Sequence, residues 1–434
     1  MATIVSAFLQ FDILTFEMLN FTSMYKYRKV SEKIDALRRL FGAILVTGPR
    51  QTGKTTLCRQ LFSSHRWVLL DDEGILSIAK SQPDLFLQNY PPPVIYDEVQ
   101  RATGLFLAIK NQIDLQNMKS GLPYVLTGSQ PLALMKSVSD SMAGRVGIVE
   151  VLPMTHSEIY ENDGVEFTFQ DFLDDKIPLG RKIPIGKPIQ EILYRGGFPD
   201  MAIAELSPKW TDVSTRLENY LKTYLHRDLR DLSLVQDLLS FEKFLRRFAL
   251  SSSTYRGPSD WAQDLGKPRS TVVSWLGLLT ATYIAFEIPA YATSLGRRER
   301  KSAKYHLIDS GLMCHLMAYQ SPDQVLRSPM VGAIYETYGL TAFRSWTQRS
   351  HLSLFFYHWR YDEKEEVDLV FELADGELVA VEFKLTAKPN ADDLQGLKAF
   401  QRRYPKCRRG IIISCFETIS YLESGILNVP ISAL

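Results

Sequence analysis

The residues best suited to chemistry lie near the start of the chain. Gly48-Pro49-Arg50-Gln51-Thr52-Gly53-Lys54-Thr55 fits G-x-x-x-x-G-K-[ST] at every fixed position, and Thr56 extends it. Glycines let a backbone wrap phosphates with its N–H groups pointing inward. A helix starting directly after the loop adds its dipole to hold the anion. Lys54 would reach the β and γ phosphates of ATP, and Thr55 would offer its hydroxyl to Mg2+. Further along, Val94-Ile95-Tyr96-Asp97-Glu98 is an apolar run ending in two acids. Asp97 is suited to holding Mg2+, directly or through water, and Glu98 to orienting and polarising the attacking water. A solvated turn would explain the two acids alone, but not their pairing with the loop. Tyr124–Thr127 then runs into Gly128-Ser129-Gln130, where Ser129 could sense the γ-phosphate or position water. Arg145, in Ser141-Met142-Ala143-Gly144-Arg145, could neutralise transition-state charge in its own site or a neighbour's. A structural salt bridge is the plainer alternative. Asp71, after Leu70, is a helix cap or an outer partner of the metal site.

A second constellation lies near the far end. Val367–Phe371 and Leu378–Phe383 read as strands around the turn Ala374-Asp375-Gly376. A three-residue loop with Gly376 left-handed puts Asp368 opposite Glu382; a two-residue loop puts them on opposite faces. Glu382 and Lys384, two apart on a strand, share a face. Two carboxylates for Mg2+ and a lysine for water or phosphate are the chemistry of metal-dependent phosphodiester cleavage. Glu336, in a helical stretch, could complete the metal shell. Acid–lysine pairs along any sheet edge are the structural alternative.

These residues need elements to position them. Ala43–Thr47, Trp67–Leu70, Pro93–Tyr96 and Tyr124–Thr127 read as strands separated by helices, which implies a parallel sheet with ligands at its carboxyl edge. Residues 211–250 read as a long amphipathic helix. Asp260–Leu265, Gly266 and Pro268–Leu279 read as helix, tight turn, helix, with Val272, Trp275, Leu276 and Leu279 on one stripe. A strand over Tyr283–Ala292 and the tip Gly296-Arg297-Arg298-Glu299-Arg300-Lys301 complete a winged-helix outline. Lys267, Arg269, Arg297, Arg298, Arg300, Lys301 and Lys304 would then contact DNA phosphates. The helical stripe by itself is only core, and winged helices also serve protein contacts.

Bulk composition narrows the setting. The chain has 434 residues, which implies two or three domains. Net charge is +1, so nucleic-acid binding needs a local basic patch. The four cysteines lack metal-ligand spacing, and no disulfide framework is expected. The first 24 residues are apolar but lack a basic start and are broken by Gln10, Asp12, Thr15 and Glu17. They read as a docking extension, and the protein is placed in the cytoplasm with no membrane contact.

GPRQTGKTT, LLDDE, IYDEVQR, LTGSQ and MAGRV resemble AAA+-type ATPases of the AAA_14 kind. Tyr194-Arg195-Gly196-Gly197-Phe198-Pro199, Tyr224-Leu225-His226-Arg227-Asp228 and Ile308-Asp309-Ser310-Gly311-Leu312 are similar to the DUF4143 region such proteins carry, within an MNS-like group. The resemblance spans about residues 25 to 415 and implies ATP hydrolysis to ADP, DNA processing or defence, and a ring or dimer of identical chains. It also implies an α/β fold. Residues 25–185 would form the P-loop ATPase core, 186–250 a helical lid, 251–318 a winged-helix module and 319–434 a restriction-endonuclease-like domain. Glu336, Asp368, Glu382 and Lys384 match the PD-(D/E)xK nuclease pattern, with Gln395 as a helper residue. The competing expectation is a nucleotide-gated signalling switch whose C-terminal part binds a protein and cuts no DNA.

Overall fold

The computed structural model describes residues 25–115, 124–129, 141–161, 167–203, 210–224, 235, 237–292, 302–350, 352, 354–362 and 365–434. β1 (Ala43–Thr47), β2 (Arg66–Leu69), β3 (Val94–Asp97), β4 (Tyr124–Thr127) and β5 (Val146–Glu150) form one sheet in the order β2-β3-β4-β1-β5. Every pairing in it is parallel. All residues of β1 and β4 are buried, as expected of strands covered on both faces. Alternate β1 residues serve different cores: Ala43 and Leu45 join Val68, Tyr96 and Phe106, whereas Ile44 and Val46 join Leu57, Ile95 and Val149. Because β4 lies between β1 and β3, whatever follows β4 sits between the loop after β1 and the acids after β3.

The next part is helical. The stretch expected as one long helix holds two, α2 (Trp210–Thr223) and α3 (Leu238–Ala249); α1 is the helix after the loop, Lys54–Leu61. Asp237 starts α3 by accepting from Ser240 N at 3.0 Å, a polar stop that amphipathic period alone overlooks. α4 (Pro258–Leu265) and α5 (Arg269–Ala281) meet at Gly266, φ 61°. β6 (Ala285–Ile288) and β7 (Lys304–Leu307) then pair antiparallel, Ile288 against Lys304. The expected strand over 283–292 is shorter because Tyr283 turns left-handed, φ 61°, before it.

β8 (Phe356–Arg360), β9 (Glu366–Glu372), β10 (Leu378–Lys384), β11 (Arg409–Ser414), β12 (Ser420–Glu423) and β13 (Ile426–Pro430) form a mixed sheet in the order β12-β13-β11-β10-β9-β8. One face (Leu369, Phe371, Val381, Phe383) packs against Ile334 and Phe343 of α7 (Val331–Thr347), which follows α6 (Ser310–Leu316). The other (Val370, Ala380, Ile412) packs against Leu397 and Phe400 of α8 (Gln395–Arg403). Leu152, just after β5, already belongs to the core of this second half, whereas Val151 beside it packs with Ile44 and Leu57. Ser157 N donates to the terminal Leu434 O at 2.9 Å, and Ile183 N to Glu417 O at 2.7 Å.

Candidate functional site

The loop after β1 is shaped by close approach. Gly48 has φ 133°, and a Cβ there would lie 2.5 Å from Val151 O. Gly53 has φ 83° at the start of α1. Arg28 braces the loop from outside its motif: Nη1 donates to Thr52 O and Nη2 to Leu152 O, both at 2.7 Å. Glu158, buried, holds Arg28 at 3.3 Å. Nothing in the local sequence ties Arg28 to the loop, so only the fold reveals it. Lys54 Nζ donates to Gly48 O at 3.0 Å and Pro49 O at 2.6 Å. Burial lowers its pKa to about 8, with Arg50 pushing the same way and Glu98 and Asp97 opposing.

Asp97 and Glu98 face this loop across the sheet edge. Thr127 Oγ1, at the end of β4, donates to Asp97 Oδ1, which Glu98 N also approaches at 3.2 Å. Burial pushes the Asp97 carboxyl up, partly offset by the bond from Thr127. Glu98 is left-handed, φ 59°, and Gln100 Nε2 donates to its Oε2. A non-glycine residue held there costs about 1–3 kcal/mol, which the surrounding fold must sustain. A cavity of about 350 Å³ is lined by Arg50, Gln51, Gly53, Lys54, Thr55 and Thr56, by Asp97 and Glu98, and by Thr127, Gly128 and Ser129. Ser129 Oγ is buried and has no hydrogen-bond partner among the described residues. An orphaned hydroxyl between loop and acids suits a ligand oxygen, and the donor set fits a nucleotide with Mg2+, which Thr55 and Asp97 would hold.

The opposite wall comes from residues the sequence did not single out as ligands: Pro199, Asp200, Tyr220, Thr223 and Tyr224. The double glycine before Phe198-Pro199 lets the chain pack closely where it brings Pro199 and Asp200 to this wall. Asp309 Oδ2 accepts from Gly197 N at 2.6 Å, and Oδ1 caps α6 through Leu312 N at 2.8 Å. A Cβ on Gly196 would meet Asp309 Oδ1 at 2.3 Å, and one on Gly197 would meet Met154 O at 2.5 Å. The run Tyr194–Pro199 was therefore a signal for the cavity wall.

Arg145 does not join this site. It precedes β5, its carbonyl accepts from Ala43 N at 3.1 Å, and it lies at the amino edge of the sheet. Its guanidinium is paired with Asp114, Nε to Oδ1 at 3.0 Å. The catalytic expectation for Arg145 in its own site is corrected to a surface salt bridge, because β5 runs toward the loop from the opposite end. At the second strand it is Asp72, accepting from Ile75 N, that caps the helix; Asp71 pairs with Arg101 at 2.8 Å.

In the second half, residues 374–376 form a three-residue loop with Gly376 at φ 81°. The pairs Val381 with Leu369 and Ala380 with Val370 carry on to put Glu382 opposite Asp368. Asp368 Oδ2 accepts from Phe383 N at 3.0 Å, and Lys384 Nζ lies 3.0 Å from Glu382 Oε2. Glu336, on α7, is adjacent, but the cation between it and Asp368 is Lys304. Lys304 Nζ lies 3.1 Å from Glu336 Oε1 and 3.4 Å from Asp368 Oδ1, with the side chain 2% exposed. The expected DNA contact by Lys304 is thus corrected: β7 turns it inward. Burial and the Asp368 charge push the Glu336 carboxyl up to about 8. Burial would also raise Asp368, but the Lys304 and Lys384 charges win and hold it low. Among the described residues no three His, Cys, Asp or Glu side chains are grouped to hold a metal. The residues here do not fit the Mg2+ expected at Glu336, Asp368 and Glu382. Gln395 is exposed and bonds Asp392 at 2.9 Å, while Gly396 lets α8 cross so closely that a Cβ would meet Glu382 Oε1 at 2.4 Å.

Of the expected basic surface, Lys267, Arg269 and Lys304 are among the described residues. Lys267 pairs with Asp237 at 2.9 Å, and Arg269 Nε donates to Ser259 Oγ at 3.2 Å. Arg297, Arg298, Arg300 and Lys301 lie outside the described residues. The described residues on either side of this stretch are fastened to β8: Tyr291 N donates to His358 O at 2.6 Å, and His358 Nε2 contacts Ser302 O at 2.9 Å.

Residues 41–160 match the family profile AAA_14, an AAA domain. This part of the chain is a P-loop ATPase domain. Residues 186–323 match a domain of unknown function, DUF8612, and residues 331–434 match another, DUF4143. The motifs Tyr194–Pro199 and Ile308–Leu312, expected in DUF4143, therefore fall in the preceding domain. The uncharacterized protein Rv2008c of Mycobacterium tuberculosis is 27% identical over 370 residues, covering 83% of this chain and 75% of that one. MJ1544 of Methanocaldococcus jannaschii is 22% identical over 48% of this chain and 46% of its own length. Among solved structures, the Walker-type ATPase PABY2304 of Pyrococcus abyssi aligns with TM-score 0.41 and 16% identity over 66% of this chain and 93% of its own. A RuvB variant from Thermotoga maritima aligns with TM-score 0.27 and 16% identity over 62% and 88%. No helix among the described residues is long and apolar enough to cross a membrane.

Proposed function

We propose that ATP turnover in this cavity drives a rearrangement of the helical module and the C-terminal sheet, and that the partner handled is DNA. The observation that carries the coupling is the cavity wall. Loop and acids come from the ATPase sheet, whereas Asp200, Tyr220 and Tyr224 come from the helical half. A γ-phosphate present or absent between them alters contacts on both sides. Two further contacts support it. Thr47, just before the loop, lies 3.4 Å from the hydroxyl of Tyr283, and Glu150 lies 3.4 Å from Arg344 on α7.

In this reading Lys54 and the loop N–H groups hold the phosphates, and Thr55 and Asp97 would hold Mg2+, which supplies charge neutralisation when bound. Glu98 orients water and takes up its proton at the carboxylate, with Gln100 fixing Oε2. Arg50 lines the cavity and can meet developing charge within one chain. A ring or dimer would add to this arrangement but is not needed for it.

One observation favours a protein partner instead. Beyond Arg269 the exposed face of α5 carries Ser270, Val273, Ser274, Gly277 and Thr280, with no further cation. The experiment that separates the readings measures ATP hydrolysis with and without duplex, single-stranded and junction DNA, with Glu98→Gln as the inactive control. DNA handling predicts stimulation that is lost on substituting Arg297, Arg298 and Arg300 together. No stimulation by any DNA would leave the protein partner as the better reading.

A further inference from the structure

The second half holds a carboxylate pair that the chain itself has filled. Lys304 reaches Glu336 and Asp368 from β7, a strand fixed in register against β6 through Ile288. Its ammonium also sits over the Tyr255 ring, 5.1 Å from the centroid, and Tyr255 Oη donates to Glu366 at 3.0 Å. The second oxygen of Asp368 and the Glu382 carboxylate have neighbours of their own. Asp368 Oδ2 accepts a backbone N–H from Phe383, and Lys384 lies against Glu382. A divalent ion bridging Glu336 and Asp368 would stand within a few ångströms of this ammonium, where like charges in a buried setting repel strongly.

We propose that Lys304 is a tethered cation that takes the place of a divalent metal in this centre, so that the D…E-x-K frame is a charge-balanced junction and not a metal site. Three different parts of the fold meet at it: β7 brings Lys304, α7 brings Glu336 and β9 brings Asp368. It therefore ties the hairpin after α5 to the C-terminal sheet, as the backbone bonds between Pro289, Tyr291 and His358 do beside it. Removing one member of such a buried group leaves an uncompensated charge, whereas removing a matched pair does not.

The test uses the full chain without nucleotide, in an Asp97→Asn background that removes the acid of the ATP site, with Mn2+ as the probe read by paramagnetic resonance. With Lys304 present, adding Asp368→Asn should leave Mn2+ binding unchanged. Lys304→Met should gain one bound Mn2+, about tenfold or more tighter than the parent, and lose it again with Asp368→Asn. Should Lys304→Met fold poorly, thermal stability decides: the charge-matched Lys304→Met/Asp368→Asn protein should melt above Lys304→Met, whose Asp368 is left without this cation. Asp368-dependent Mn2+ binding while Lys304 is present would overturn the proposal. So would a folded Lys304→Met protein that gains no Mn2+, or a double variant that melts no higher than Lys304→Met.

Discussion

Lys54 gives the nucleotide site a pH signature. Its ammonium is buried, bonded to Gly48 O and Pro49 O, and its pKa is lowered to about 8. Phosphates arriving beside it favour the charged form, so the bound state has a higher pKa than the free state. The sign follows from that difference. Below the free-state value Lys54 is already protonated and affinity is flat; above it, binding must first take up a proton. Between about pH 7 and about pH 9 the protonated fraction falls roughly tenfold, so the ADP Kd should rise about tenfold, roughly 1.4 kcal/mol. Calorimetric titration of ADP across that range measures it, and two buffers of different ionisation heat should reveal proton uptake on the alkaline side. Lys54→Arg, charged throughout, should bind with a flat profile. A wild-type Kd constant over the same range, or proton release on binding, would refute the reasoning.

Three further outcomes follow from specific contacts. Ser129→Ala should leave the melting temperature nearly unchanged, because the hydroxyl bonds no described residue, yet lower kcat; a melting change without a kcat change would make Ser129 structural. Arg145→Ala should retain turnover within about twofold, since its partner Asp114 is a surface residue remote from the loop; a hundredfold loss would restore a catalytic role. Asp309→Ala should cost about 2–4 kcal/mol in denaturant unfolding, because Gly197 N and Leu312 N lose a buried acceptor; a loss below about 1 kcal/mol would mean water replaces it.

Local chemistry was legible where one short segment carries it. The loop from Gly48 to Thr56 and the strand ending in Asp97 and Glu98 are each contiguous, and the parallel sheet follows from the strand–helix alternation around them. The three-residue turn at Gly376 fixed which residue opposes Glu382, because the side-chain period of a strand is two. What failed to show was anything assembled across elements. Arg145 lies near the motif residues in sequence, but the direction of β5 puts it at the other edge of the sheet. Tyr220 and Thr223 carry no local mark of the cavity they line. Lys304 shows the limit most clearly. By itself Lys304 is one more cation after a basic run; the pairing of β7 with β6 and the packing of α7 on β10 place it between two acids. Sequence determined the phosphate loop and its acids, because backbone shape and side-chain type within a few residues suffice for them. Tertiary structure alone decided which charges meet, because burial and pairing depend on segments far apart in the chain.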